Sequence, residues 1–140
     1  MDIFTPKGFL MVGGTVLLVV GVLGFFALIG PTADNSLFGE YWYFDNAENV
    51  AHTVLGLVAL AAAYGLKSAH QQKWLVALVG LLGLLFGLYG LFGPLPSGQT
   101  FMGAALQNPT DTILHFVVGI WGLIAAFRKT SMMPGASSTM

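Results

Sequence analysis

Cysteine is absent and charge is scarce: none of the 140 residues is Cys and only 8% are charged, against roughly 25% in an average soluble domain. Without a thiol there are no disulfides, thiolate metal sites, cysteine nucleophiles, or prenyl or palmitoyl anchors. Basic residues are few as well, five Lys and Arg against six acids. No basic surface for phosphate backbones results, and nucleic acid is not an expected partner. What the chain has instead is apolar: 56% of its residues are hydrophobic. A hydrocarbon core of about 30 Å takes about 20 apolar residues per helix, so four spans with short connections account for nearly the whole length.

Four uncharged stretches fit that requirement: Phe9 to Gly30, Asn49 to Leu66, Trp74 to Gly93 and Thr112 to Phe127. The first is too long for a signal peptide, is preceded only by Lys7 and is followed by no small-residue cleavage site, so it is expected to remain as a span. Every basic residue falls at Lys7, in the loop holding Lys67 and Lys73, or at Arg128 and Lys129. These segments are expected on the cytoplasmic side, with both termini. Asp34, Glu40, Asp45, Glu48 and Asp111 then lie opposite. The fold class expected is an all-α polytopic membrane four-helix bundle, one membrane domain over residues 1–130 followed by a disordered tail, 131–140, without an apolar face.

Between the first two spans, Phe38, Tyr41, Trp42, Tyr43 and Phe44 cluster where the chain meets the headgroups. Such clusters serve as interfacial belts, or as docking faces for a partner or a quinone-like ring.

Laid against itself at the separation of His52 and His115, 63 residues, the chain pairs Gly24 with Gly87, Leu28 with Leu91, Gly30-Pro31 with Gly93-Pro94, and Phe38 with Phe101. The same register pairs Gly56 with Gly119, Leu60 with Leu123, and Ala62-Ala63 with Ala125-Ala126. Shared apolar composition explains a Leu or Ala match, but not a coincident Gly-Pro, a membrane His and the Gly four residues after it. The expectation is an internal duplication, with repeat 1 at about 9–66 and repeat 2 at about 74–129. Each unit is an outward helix, a loop and an inward helix, so the copies are parallel, with both histidines at one depth.

Each His-bearing helix opens on a cap signal, Asp45-Asn46-Ala47-Glu48 in one copy and Asn108-Pro109-Thr110-Asp111 in the other. Asp45 and Asn108 suit the cap, Glu48 and Asp111 the return bond three residues later, and Pro109 the first helical position. His52 and His115 follow the acids by four residues on the same face, roughly 10 Å beyond the cap at 1.5 Å per residue. An ionisable ring at that depth is a functional candidate. Small residues continue below each, Gly56, Ala59 and Ala63 in one helix, Gly119, Gly122 and Ala126 in the other.

Several readings remain open. The small residues bring helix backbones together, with the imidazole bonding across the interface or to its own acid. Alternatively they leave room for a flat macrocycle, chlorophyll or haem, with His52 and His115 as axial ligands. A third reading gathers Glu48, His52, Asp111 and His115 into a redox or metal site. Proton relay is the least favoured, because no ionisable residue continues the path inward. His70, between Lys67 and Lys73, reads as a solvated loop residue. Gly80, Gly83, Gly87 and Gly90 form a packing seam in the third span, sparser at Gly14, Gly21 and Gly24 in the first.

Through Gly21-Val-Leu-Gly-Phe25, Leu37-Phe38-Gly39, Asn49-Val-Ala-His52 with Gly56, and Asp111-Thr-Ile-Leu-His115 with Gly119, the chain resembles an uncharacterised family of four-span membrane proteins common in cyanobacteria and actinobacteria. The resemblance covers most of the chain and implies the four-span fold. It also points towards a small photosystem-associated subunit, with His52 and His115 as pigment-ligand candidates. No nucleophile and base pair, phosphate loop or dinucleotide fingerprint occurs, and Ser36, Ser68 and Ser97 lie in loops away from any His and acid arrangement. The expectation is a non-enzymatic accessory or assembly subunit of a plasma or thylakoid membrane. Its partners are lipids and other membrane subunits, or further copies of itself.

Overall fold

A computed structural model describes residues 1–92, 104 and 109–128. Among them are four helices, α1 (Pro6–Phe25), α2 (Asn46–Gly65), α3 (Ala69–Phe92) and α4 (Pro109–Phe127), and one isolated β-bridge between Ile29 and Ser36. All four helices are long and apolar enough to cross a membrane. The Gly93-Pro94 stop, Ser97, Phe101, the Asn108 cap, Lys129 and the tail 131–140 lie outside the described residues.

Each helix begins earlier than its uncharged stretch, because a first turn with free N–H groups takes polar residues. Thr5 caps α1, its hydroxyl accepting from the Gly8 amide at 3.1 Å, with Pro6 at the first helical position. Asp45 and Glu48 form a reciprocal capping box on α2, each bond 2.9 Å long. At the first span's other end the helix stops at Phe25 rather than Gly30. Ala27 has φ 55° and Gly30 φ 156°, and the Phe44 carbonyl oxygen occupies the place a Gly30 Cβ would take. The chain is folded back there, with Leu37 and Phe44 amides donating to the Leu28 and Ile29 carbonyls at 3.0 and 2.7 Å. His70, expected in a loop, lies in the first turn of α3.

The helices pack chiefly as two hairpins, α1 with α2 and α3 with α4, and α1 touches α3 and α4 more lightly. Glycines set both seams. A Cβ added at Gly14 would stand 3.1 Å from the Gly56 carbonyl oxygen, 3.0 Å from Ala59 Cβ and 3.2 Å from Leu60 Cγ. One at Gly80 would meet Gly119, Gly122 and Leu123 at 2.9 to 3.1 Å. Gly21 faces Thr53 and Gly87 faces Phe116; Gly56 faces Leu18 and Gly119 faces Leu84. On α2 and α4 these partners are 63 residues apart, but on α1 and α3 they are 66 apart. A single gapless register therefore does not describe the packing. The outward helices correspond three residues, almost one turn, away from the register of the inward helices.

The two hairpins share an apolar core at one end of the bundle. Phe9 and Leu10 of α1, Ala63 of α2, Val76 and Ala77 of α3, and Ala125 and Ala126 of α4 are buried together there. Phe9 meets Trp121 with ring centroids 4.5 Å apart, and the Trp121 indole donates to the Ile3 carbonyl at 3.0 Å. Basic residues rim this end. Arg128 pairs with Asp2 at 2.8 Å, Lys7 lies over the Tyr64 ring, and Lys73 over Trp74 and Phe127. Gln72, buried, donates to the Leu66 carbonyl at 2.7 Å and ties α2 to α3. The opposite, acidic end of the bundle carries the α1–α2 connection and the beginnings of α2 and α4.

Candidate functional site

At the acidic end, the turns that begin α2 and α4 place two carboxylates inside the bundle, Glu48 2% exposed and Asp111 1%. Glu48 is held by its cap: Oε2 accepts from the Asp45 amide at 2.9 Å. One turn further along, His115 sits over Asp111, its Nδ1 3.0 Å from the Asp111 carbonyl oxygen and 3.2 Å from Oδ2. A proton on Nδ1 satisfies both oxygens and directs Nε2 away from the helix.

Glu48 lies within electrostatic reach of Asp111, and His52 within reach of Asp111 and His115. All four side chains singled out from the sequence therefore gather at one place between the hairpins. Among the described residues, however, no three His, Asp or Glu side chains meet in an arrangement that could hold a metal ion.

Aromatic rings cover the two imidazoles differently. Phe44, 2% exposed, rests on His52 with centroids 4.5 Å apart, and itself continues a row through Trp42 to Phe38 at 5.8 and 5.1 Å. Phe86 of α3 lies 5.6 Å from His115. The aromatic segment is thus divided: Phe44 is a lid on His52, whereas Tyr41 is 76% exposed. Burial, followed by the carboxylates of Glu48, Asp45 and Glu40, pushes the Tyr43 phenol above its ordinary range.

A family described as a domain of unknown function, DUF4383, matches residues 7–127. The chain belongs to this family. No curated protein and no solved structure matches it. The match takes in all four helices of the DUF4383 chain apart from Pro6, the first residue of α1.

The small residues beneath the histidines are already occupied. Gly56 would meet Leu18 backbone within 3.0 Å if it carried a Cβ, and Gly119 would meet Leu84. Their faces are filled by the partner helix of the same hairpin, so the room expected beside each ring for a macrocycle is used for helix packing.

Two polar residues at this site escaped the sequence reading. Asn49, fully buried, puts its side-chain amide against Gly24, and Thr53 puts its hydroxyl 2.6 Å from where a Gly21 Cβ would be. Neither Asn49 Oδ1 nor Thr53 Oγ1 has a conventional donor or acceptor. Both face glycine Cα–H groups, the close approach at which weak C–H···O bonds form between membrane helices. The signal available was the spacing of Asn49 and Thr53, four residues apart and facing the Gly21 and Gly24 pair.

Proposed function

We propose that this DUF4383 chain is a non-enzymatic integral membrane protein, an accessory or assembly subunit built from two duplicated helical hairpins. The observation that carries the reading is that the polar side chains taken into the bundle are engaged in joining its own helices. Glu48 closes a cap, His115 is held by Asp111, and Asn49 and Thr53 pack on glycines. None of these pairs a nucleophile with a base. The two hairpins also present the same exposed apolar ridge, Val50, Val54 and Leu57 on α2 and Ile113, Val117 and Ile120 on α4. Such ridges suit lipid or the helices of another subunit.

Duplication is supported by the matching glycine contacts of the two hairpins, and the cytoplasmic position of the basic end by the excess of Lys and Arg there. The test is purification in mild detergent, with cross-linking, an ultraviolet-visible spectrum and metal analysis on one sample. A stoichiometric partner or homo-oligomer in a colourless, metal-free preparation supports the accessory reading. A Soret or long-wavelength band at near-integral stoichiometry, lost in His52→Ala and His115→Ala, replaces it with tetrapyrrole binding.

A further inference from the structure

The four ionisable side chains between the hairpins are unequally provided for. Asp111 has the His115 ring nitrogen at 3.2 Å. Glu48 Oε2 has the Asp45 amide, but its Oε1 is buried with no hydrogen-bond partner. Nδ1 of His52 is buried and unpartnered as well. Two proton acceptors, an oxygen and a ring nitrogen, thus stand unsatisfied beside a second carboxylate, in a place from which water is largely excluded.

Two ionised carboxylates within reach of each other repel strongly once water is removed, and a buried charge without a partner is the costlier still. Asp111 has a cationic partner available in His115. Glu48 has none. We propose that this centre is a proton-binding site, in which Glu48 holds one exchangeable proton through Oε1, and that its occupancy sets how closely the acidic ends of the two hairpins approach.

Charge counting gives the direction. With Asp111 ionised against protonated His115, a proton on Glu48 leaves the centre neutral. Its loss leaves one net negative charge between the hairpins, and a further proton on His52 leaves one net positive. Either departure pushes apart an interface whose apolar core lies at the far end, around Phe9 and Val76. The groups facing Glu48 are Asp45 and His52 on its own helix, Asp111 and His115 on α4, and Tyr43 in the connection. The acidic-end halves of α1 and α3 add no ionisable group but Tyr89.

Between the two histidines and Tyr64, His70 and Lys73 at the basic end, the four described helices carry no ionisable side chain. The proton therefore exchanges only with the acidic end, which makes the centre a sensor of pH on that side and not a conduit.

The test uses the full chain in lipid nanodiscs. Infrared difference spectra across a pH titration read protonated carboxyl groups directly. A carboxylic-acid C=O band is expected at neutral pH, lost in Glu48→Gln and retained in Asp111→Asn. Gln at the third helical position still closes the cap, so Glu48→Gln keeps its helix. Because the chain has no cysteine, Val50→Cys and Ile113→Cys place a spin-label pair on the acidic ends of α2 and α4 without background. The label separation should grow from mildly acidic to alkaline pH in the parent and stay constant in Glu48→Gln. Absence of the acid band at neutral pH, its survival in Glu48→Gln, or a pH-independent separation in the parent would overturn the proposal.

Discussion

Gly14 faces the carbonyl oxygen of Gly56 across the first hairpin, so closely that a Cβ on Gly14 would stand 3.1 Å from it. From the other side, a Cβ on Gly56 would lie 2.6 Å from the Leu18 amide nitrogen and 2.8 Å from the Gly14 carbonyl oxygen. All of these neighbours are backbone, which cannot rotate away. Gly56→Ala should destabilise the bundle by about 1–3 kcal/mol, the usual cost of overpacking. Gly119→Ala should do the same in the second hairpin, against Leu84. Gly65→Ala is the control, since nothing lies within 4 Å of its added Cβ. Denaturant titration in detergent ranks the three; equal midpoints for Gly56→Ala and Gly65→Ala would remove the glycine seam as the basis of hairpin packing.

The capping box gives a second, separable test. Asp45 Oδ1 accepts from the Glu48 amide at 2.9 Å, and loss of such a cap costs about 0.5–2 kcal/mol. Asp45→Ala should show that loss in unfolding titrations, while Asp45→Asn should keep most of the stability because Asn also caps. Equal loss in both variants would mean that the charge, not the hydrogen bond, is what α2 requires.

How far these features could be read beforehand follows from what sequence encodes locally. The capping box on α2, the Thr5-Pro6 start and the four spans rest on residues within one helix turn of each other, and they were legible. So was the pairing of His52 with His115, because the inward helices keep one separation. The seam was misregistered: Gly24 does match Gly87 at 63 residues, but the contacts pair Gly14 with Gly80 and Gly21 with Gly87, 66 apart. Only packing reveals that, since the sequence carries no mark of which face of α1 meets α2. The lid formed by Phe44 on His52 was hidden for a related reason. It depends on the fold-back at Ala27 and Gly30, where positive φ turns the chain over the end of the bundle.

Tyr43 offers a pH test outside the spans. Burial raises its phenol pKa above 10.0, and the carboxylates of Glu48, Asp45 and Glu40 add to the shift. A raised folded pKa means that the folded state keeps the proton when the unfolded chain has lost it. The associated stability is therefore fully present below pH 10.0 and is lost as pH rises through the folded value. The difference between ultraviolet pH titrations of the parent and Tyr43→Phe isolates this phenol. It should ionise later than a free tyrosine, and Glu40→Gln should bring it partway back. Ionisation at or below pH 10.0 would show the connection to be open to water at that point.

The orientation of the bundle can be decided with the same cysteine-free chain. Lys7, Lys67, Lys73 and Arg128 all belong to one end of the bundle, and short basic segments are retained on the cytoplasmic side during insertion. The acids at the other end are weak signals and merely agree, so the whole inference rests on these few cations. Leu37, 74% exposed in the α1–α2 connection, and Ser68, exposed between α2 and α3, report on opposite ends. In intact spheroplasts a membrane-impermeant maleimide should label Leu37→Cys at once and Ser68→Cys only after lysis. The opposite pattern would place the carboxylate and imidazole centre in the cytoplasmic leaflet, exposed to internal pH. Labelling of both sites before lysis would mean a mixed population, and adding one Lys beside Ser68 should then shift it towards the basic end inside.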